Sequence, residues 1–407
     1  MDNLNYSPES LKDQKKKYYA SFLWKLTVAF VIIFAAQIII YVPVDLIFGV
    51  LSGLSESLSG SAGEFFANLE KNGVFTTLDA VFHLFALLVT DSFGALFLFF
   101  MTRKTSKVPE KRNLHFLYWL VLFIICFAIG GVGTIIGSLV NAFALLPSTV
   151  ANVLIKMSLT GDINNINQTL AYGDDSWLYI FVNILMAGLA IPVVEELIFR
   201  KFVIDNTSKY GFGAAVMISG FTFAIFHGNF LQLFYTLGIG LLFAYVYAFT
   251  GKLRYTVLMH MGYNLYSALF PIGHKIMPQG SVEDITNAIE KLSQAAAENP
   301  QGIDAAYNWL LWVFRRNMTE PGFVIGLLFI AVTRILLLIL IITGIILFIV
   351  FLKKGINVRK QMPMGQKGTK RCAAGNYGAV LFYILGGGVF VLYYFVANLG
   401  SIASLFR

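Results

Sequence analysis

The sequence predicts an all-α fold: a polytopic integral membrane helix bundle. Three observations predict it. The 407 residues are 57% hydrophobic and only 13% charged, whereas a soluble globular chain is about one-quarter charged. Apolar runs of about 17–25 residues, enough to cross a bilayer as helix, recur along the whole length. The cations fall on alternate connections between those runs, as the positive-inside rule asks.

About nine spans are expected from these runs. The first, 22–50, follows Lys12, Lys15, Lys16 and Lys17. The second, 77–101, carries Asp79 and His83 on one face with Asp91 deeper, and Arg103, Lys104, Lys107, Lys111 and Arg112 come after it. The third, 114–140, contains Gly130, Gly131, Gly133 and Gly137, a small-residue spacing that lets helices approach closely. The connection 141–176 is poor in cations, with Lys156 set against Asp162, Asp174 and Asp175. The fourth span, 177–202, leads to Lys201 and Lys209; the fifth is 211–228; the sixth, 230–249, leads to Lys252 and Arg254; the seventh is 255–272.

Segment 273–321 is polar enough to lie outside the bilayer. Ser281-Val282-Glu283-Asp284 reads as a helix start with Ser281 as N-cap and acids in the first turn. Tyr307 to Arg316 is aromatic and ends in cations, which suits an interfacial helix on the outer leaflet or a lead into the next span. The eighth span, 322–352, precedes a loop, 353–371, with seven cations and no acid, able to touch anionic lipid. The ninth, 376–406, contains Gly386, Gly387 and Gly388. The parts are then a cytoplasmic segment 1–21, helices 22–140, a four-helix core 177–272, the extracytoplasmic segment 273–321 and helices 322–407. The N-terminus is expected in the cytoplasm and the C-terminus outside.

Because topology already accounts for the basic loops, nucleic acid is not expected as a partner. The lipid bilayer is. Cys126 and Cys372, the two cysteines, lie in a span and beside a basic loop, so no disulfide framework is expected. No cleavable signal peptide is expected, since the first apolar run is too long for one.

Three short groups of polar residues interrupt the apolar core. A polar or ionisable side chain in a bilayer costs several kcal/mol unless it faces protein or water (roughly 2.5–3.5 on insertion scales). The first group is Glu195-Glu196-Leu197-Ile198-Phe199-Arg200. Residues i and i+4 share a helix face, so Glu196 can pair with Arg200 while Glu195 points elsewhere, free to act as a base. Alone, this would read equally well as a charged helix end. The second is Phe223 with His227, one turn apart; a single His at a helix end is more often merely hydrogen-bonded. The third is His260 with Asn264, also one turn apart, able to offer two donors to one oxygen or simply to glue helices.

Taken together and in this order, the groups Glu-Glu-x-x-x-Arg, Phe-x-x-x-His and His-x-x-x-Asn resemble the CAAX-protease-and-bacteriocin-processing family. Its members, also called Abi-type, are intramembrane proteases related to the type II CAAX prenyl endopeptidase. The resemblance covers roughly residues 178–270. It implies that Glu195 and His227 activate water, that His260 and Asn264 stabilise the oxyanion, and that Glu196 and Arg200 support them. The implied protein is an endopeptidase of a prokaryotic plasma membrane. Its substrate would be a peptide or protein, lipid-modified, membrane-embedded or a bacteriocin, in processing or immunity.

Two His and a Glu (Glu195, His227, His260) would also suit a catalytic zinc ion. No His-Glu-x-x-His helix is present, and the expectation leans to a glutamate-driven reaction without metal. In this topology His227 falls near the outer end of a short span, whereas Glu195 and His260 lie nearer the cytoplasm. The fifth span must then be tilted, broken or shifted in depth. Rival readings are a non-catalytic scaffold that uses the same cavity, and an ion-coupled transporter that uses Asp79 and Asp91.

Overall fold

The computed structural model describes residues 8–104, 111–144, 176–208, 211–227, 230–298 and 302–353. These are helical, with no strand among the described residues. The helices are α1 (Pro8–Ser57), α2 (Gly60–Lys71), α3 (Val74–Thr102), α4 (Phe116–Ala144), α5 (Trp177–Thr207), α6 (Phe212–Phe226) and α7 (Phe230–Thr250), followed by α8 (Leu253–Ala268), α9 (Phe270–Ile276), α10 (Gln279–Glu298), α11 (Ile303–Asn317) and α12 (Pro321–Lys353).

Among the described residues six helices are long and apolar enough to cross a membrane: α1, α3, α4, α5, α7 and α12. The spans expected at 211–228 and 255–272 meet shorter helices, of 15 residues in α6 and 16 in α8. At 1.5 Å per residue these reach only ~22–24 Å, short of the ~30 Å hydrocarbon core. The ninth expected span, 376–406, lies outside the described residues, as does Cys372. Cys126 is buried and free.

Large apolar side chains such as Ile325, Leu328, Val332 and Ile335 on α12 are exposed. Water would penalise such a face; lipid does not. Packing between helices therefore relies on close fit. Gly133 of α4 sits against the backbone of Tyr235 in α7, and Gly344 of α12 against the backbone of Ile124 in α4. Turns between core helices are tight. Gly251 holds the left-handed conformation (φ 60°) that ends α7, and its N–H bonds Tyr247 O at 2.7 Å, a usual glycine stop.

Cations gather at one end of the bundle. Lys111, Lys201, Lys252 and Arg254 line a recess of about 530 Å³ beside Gly251. These residues belong to the basic connections after the second, fourth and sixth expected spans, which therefore share one side of the molecule.

In the segment 273–321 the expected helices form, with one correction. Ser281 does not cap α10. The helix begins at Gln279, and Ser281 N–H bonds Pro278 O at 2.9 Å; Pro278, which cannot extend a helix backwards, sets the start. Asp284 instead pairs with Arg316 of α11 at 3.6 Å, and Lys291 lies over Trp309 at 4.1 Å, so α10 and α11 hold one another.

Candidate active site

Helix α5 is irregular where the chemistry lies. Two stretches, Ile184–Ala190 and Leu197–Phe202, have π-type geometry with hydrogen bonds five residues back. Between them Ile191–Glu196 is regular α-helix. Insertions of this kind are rare and often mark functional sites. Pro192 explains part of the first one. Ile191 N–H bonds Met186 O, and Pro192 has no N–H, so the next carbonyl, that of Ala187, lacks a donor from Pro192. Asn264 of α8 supplies a donor: its Nδ2 lies 3.0 Å from Ala187 O.

Glu195 and Glu196 are both buried. Glu196 Oε2 accepts from Arg200 Nε at 3.0 Å, with both side chains fully buried. The expected i,i+4 pair therefore forms. Arg200 is held further by Nη1 donating to Ser219 Oγ at 3.0 Å. Ser219 in turn donates to Phe199 O at 2.7 Å. The guanidinium lies 4.6 Å from the ring centre of Phe223 and 5.7 Å from that of Phe243, favourable contacts for a desolvated cation.

The other oxygen of Glu196 reaches α8. Its Oε1 lies 3.1 Å from His260 Nδ1. A carboxylate can only accept, so Nδ1 carries the proton in this bond. The opposite nitrogen, Nε2, faces Glu195 Oε2 at 3.4 Å. The imidazole is thus clamped between the two glutamates, in a ring of Phe223 and Phe243 whose centres lie 5.6 and 5.5 Å away. Glu195 lacks the Arg200 bond, as the helix geometry requires.

His227 ends α6. Its Nδ1 donates to Phe223 O at 2.8 Å, which leaves Nε2 as an acceptor. Phe223 bridges the histidines: its ring centre is 4.5 Å from that of His227 and 5.6 Å from that of His260. The depth conflict raised by the sequence has a simple answer. Helix α6 stops after 15 residues, so His227 sits level with the aromatic ring that lines the site.

Glu195, Glu196, Arg200 and His260 are therefore directly joined, and His227 is adjacent through Phe223. Asn264 stands one turn along α8 with one amide proton spent on backbone. Sequence reading passed over Ser219 and Phe243 as supports and named Phe223 only as the residue one turn before His227. Phe223 carried a signal, its i,i+4 spacing to His227; Ser219 and Phe243 carried none.

The ligand atoms of Glu195, His227 and His260 do not all come within 4.8 Å of one another. In this arrangement they do not close around a metal ion. Among the described residues, Asp45, Asp79 and His83 do meet that distance, with Asp45 Oδ1 3.1 Å from His83 Nε2. That cluster joins α1 to α3 and includes the exposed Asp45.

The fold and site define a helical integral membrane protein with a buried Glu/His cluster. Residues 176–266 match the family described as type II CAAX prenyl endopeptidase Rce1-like, so this stretch of the chain is an Rce1-like domain. No curated protein and no solved structure matches the chain.

Proposed function

We propose that the protein is an intramembrane endopeptidase in which Glu195 drives water onto a peptide carbonyl without a metal ion. One observation carries this. Arg200 engages Glu196 alone, and His260 touches both glutamates, so one carboxyl is braced and the other faces an imidazole with no cation bonded to it. Glu195 takes a proton from water as the oxygen attacks the carbonyl carbon. The C–N bond breaks as Glu195 passes that proton to the amine nitrogen. The products are a carboxylic acid and an amine. His227, with Nε2 free to accept, orients the water.

His260 and the second amide proton of Asn264 form the site for the tetrahedral oxyanion, where one hydrogen-bond donor is worth about 2.7–4 kcal/mol. Water must reach these groups, since dry hydrocarbon would leave them unpaired. The substrate is a peptide presented at the membrane. A lipid-modified C-terminal segment is the first candidate, because the matching family is described as a prenyl endopeptidase; bacteriocin precursors are the second. The basic end of the bundle faces the cytoplasm.

The test is cleavage of a peptide library by the purified protein in lipid nanodiscs. The library includes farnesylated and unmodified Cys-a-a-X peptides, and Glu195→Ala runs alongside, with and without chelator. Cleavage that is lost in Glu195→Ala and unchanged by chelator is expected. Loss of cleavage on chelation that zinc restores would overturn the metal-free route. No cleavage of any peptide would favour the scaffold.

A further inference from the structure

Asp91 of α3 is fully buried, and neither of its carboxylate oxygens has a hydrogen-bond partner among the described residues. Neighbouring hydroxyls do not serve it. Thr90 Oγ1 donates to Leu87 O at 3.0 Å and Ser92 Oγ to Leu88 O at 2.6 Å. A carboxyl left this way in a bilayer is expensive and marks a function by default.

Helix register shows what it faces. Helices α3 and α5 run in the same direction side by side. Ala80 and Leu84 pack with Tyr179 and Val182, and further along Ala95 and Leu98 pack with Ile198, Phe199 and Phe202. Phe99 meets Phe202 ring to ring, with centres 6.4 Å apart. The offset of that Phe99–Phe202 pair, to within one residue, sets Asp91 against Glu195. The two carboxyls also interact electrostatically.

We propose that Asp91 belongs to the reaction centre: with Glu195 it holds the hydrolytic water between α3 and α5. This rests on the hydrolase reading above. A buried water needs two to four polar partners and has two hydrogens to donate: Glu195 takes one, and the other is shared between Asp91 and Nε2 of His227. Asp91 accepts a hydrogen bond from the water and exchanges no proton in the reaction. Arg200, Glu196, His260 and Tyr235 are the other charged or titratable groups near Glu195, and Arg200 and Glu196 are engaged with each other.

The experiment compares wild type, Asp91→Asn, Glu195→Gln and the double variant in nanodiscs. Thermal unfolding and steady-state kinetics are read on the same samples. Asp91→Asn is expected to unfold at a higher temperature than wild type, because a buried unpartnered acid is replaced by a neutral amide. Its kcat should fall by about tenfold to a hundredfold with KM nearly unchanged, the pattern of a misplaced reactant. The rise in unfolding temperature for the double variant should be smaller than the two single rises added. A merely structural Asp91 would instead lower the unfolding temperature. Strictly additive temperature shifts, or kcat within about twofold of wild type, would overturn the proposal. A wild type that cleaves no peptide removes the hydrolase reading and this role with it. A cleaving wild type matched by Asp91→Asn removes Asp91 alone.

Discussion

Glu196 and His260, 64 residues apart in the chain, are joined by a 3.1 Å hydrogen bond from Nδ1 to Oε1. That bond fixes the imidazole ring about its own plane. It directs Nε2 at Glu195, and it ties α8 to α5 at the level of the chemistry. Several expectations follow from it and from the contacts around it.

Glu195→Gln keeps the shape of the side chain and removes its ability to take a proton. Peptide cleavage should fall by about 10²–10⁴-fold, the usual contribution of a general base. The unfolding temperature should not drop, because no bond to Arg200 is lost. Parallel activity and thermal-shift assays check both halves.

Breaking the Glu196–Arg200 pair should act oppositely. Both side chains are wholly buried. Arg200→Met leaves Glu196 charged with one partner fewer, at about 3–5 kcal/mol of stability, whereas Glu196→Leu with Arg200→Met together should cost less. Denaturant titration of the two variants beside the wild type decides. A double variant no more stable than Arg200→Met would contradict the desolvation argument.

Asn264 has two separable duties. Asn264→Ala strips the donor from the Ala187 carbonyl and should cost about 0.6–2 kcal/mol in stability. Pro192→Ala returns an N–H at the position that lacks one. In that background the stability cost of Asn264→Ala should shrink. Its cost in kcat, if the second amide proton serves the oxyanion, should persist. A loss of rate that disappears together with the stability cost would assign Asn264 to structure alone.

Glycine at 133 is a packing requirement and glycine at 53 is not. A methyl at Gly133 meets the backbone of Tyr235, and a methyl at Gly53 meets nothing within 4 Å. Gly133→Ala should destabilise by about 1–3 kcal/mol. Gly53→Ala should be neutral, or gain up to about 1 kcal/mol from helix propensity. Thermal unfolding of both proteins tests the contrast.

Much of this site was legible in the sequence because helical spacing is a local rule. The Glu196–Arg200 pair and the separate orientation of Glu195 follow from i,i+4 geometry, and the structure shows both. The clamp of His260 between two glutamates was not legible, since it joins helices distant in the chain. Asn264 looked like the side-by-side partner of His260; its amide instead meets a carbonyl on another helix, and only the π-type turn and Pro192 explain why that carbonyl was available. Helices α6 and α8 fall within a few residues of the expected 211–228 and 255–272, because the polar run His227-Gly228-Asn229 breaks the apolar sequence just past Phe226. In segment 273–321, Ser281 had the chemistry of a cap but stood three residues past the cap position, because Pro278 had already fixed the start.

The insertions in α5 set a condition on anyone who would rebuild or transplant this core. A regular helix turns about 100° per residue, so deleting one residue between Ile184 and Ala190 would swing every later side chain by roughly that angle. The glutamates would then rotate away from α8 and the arginine away from its aromatic seat. A straightened α5 of equal span would be a better helix and an empty enzyme scaffold: here the defect in periodicity is the instruction that aims the chemistry.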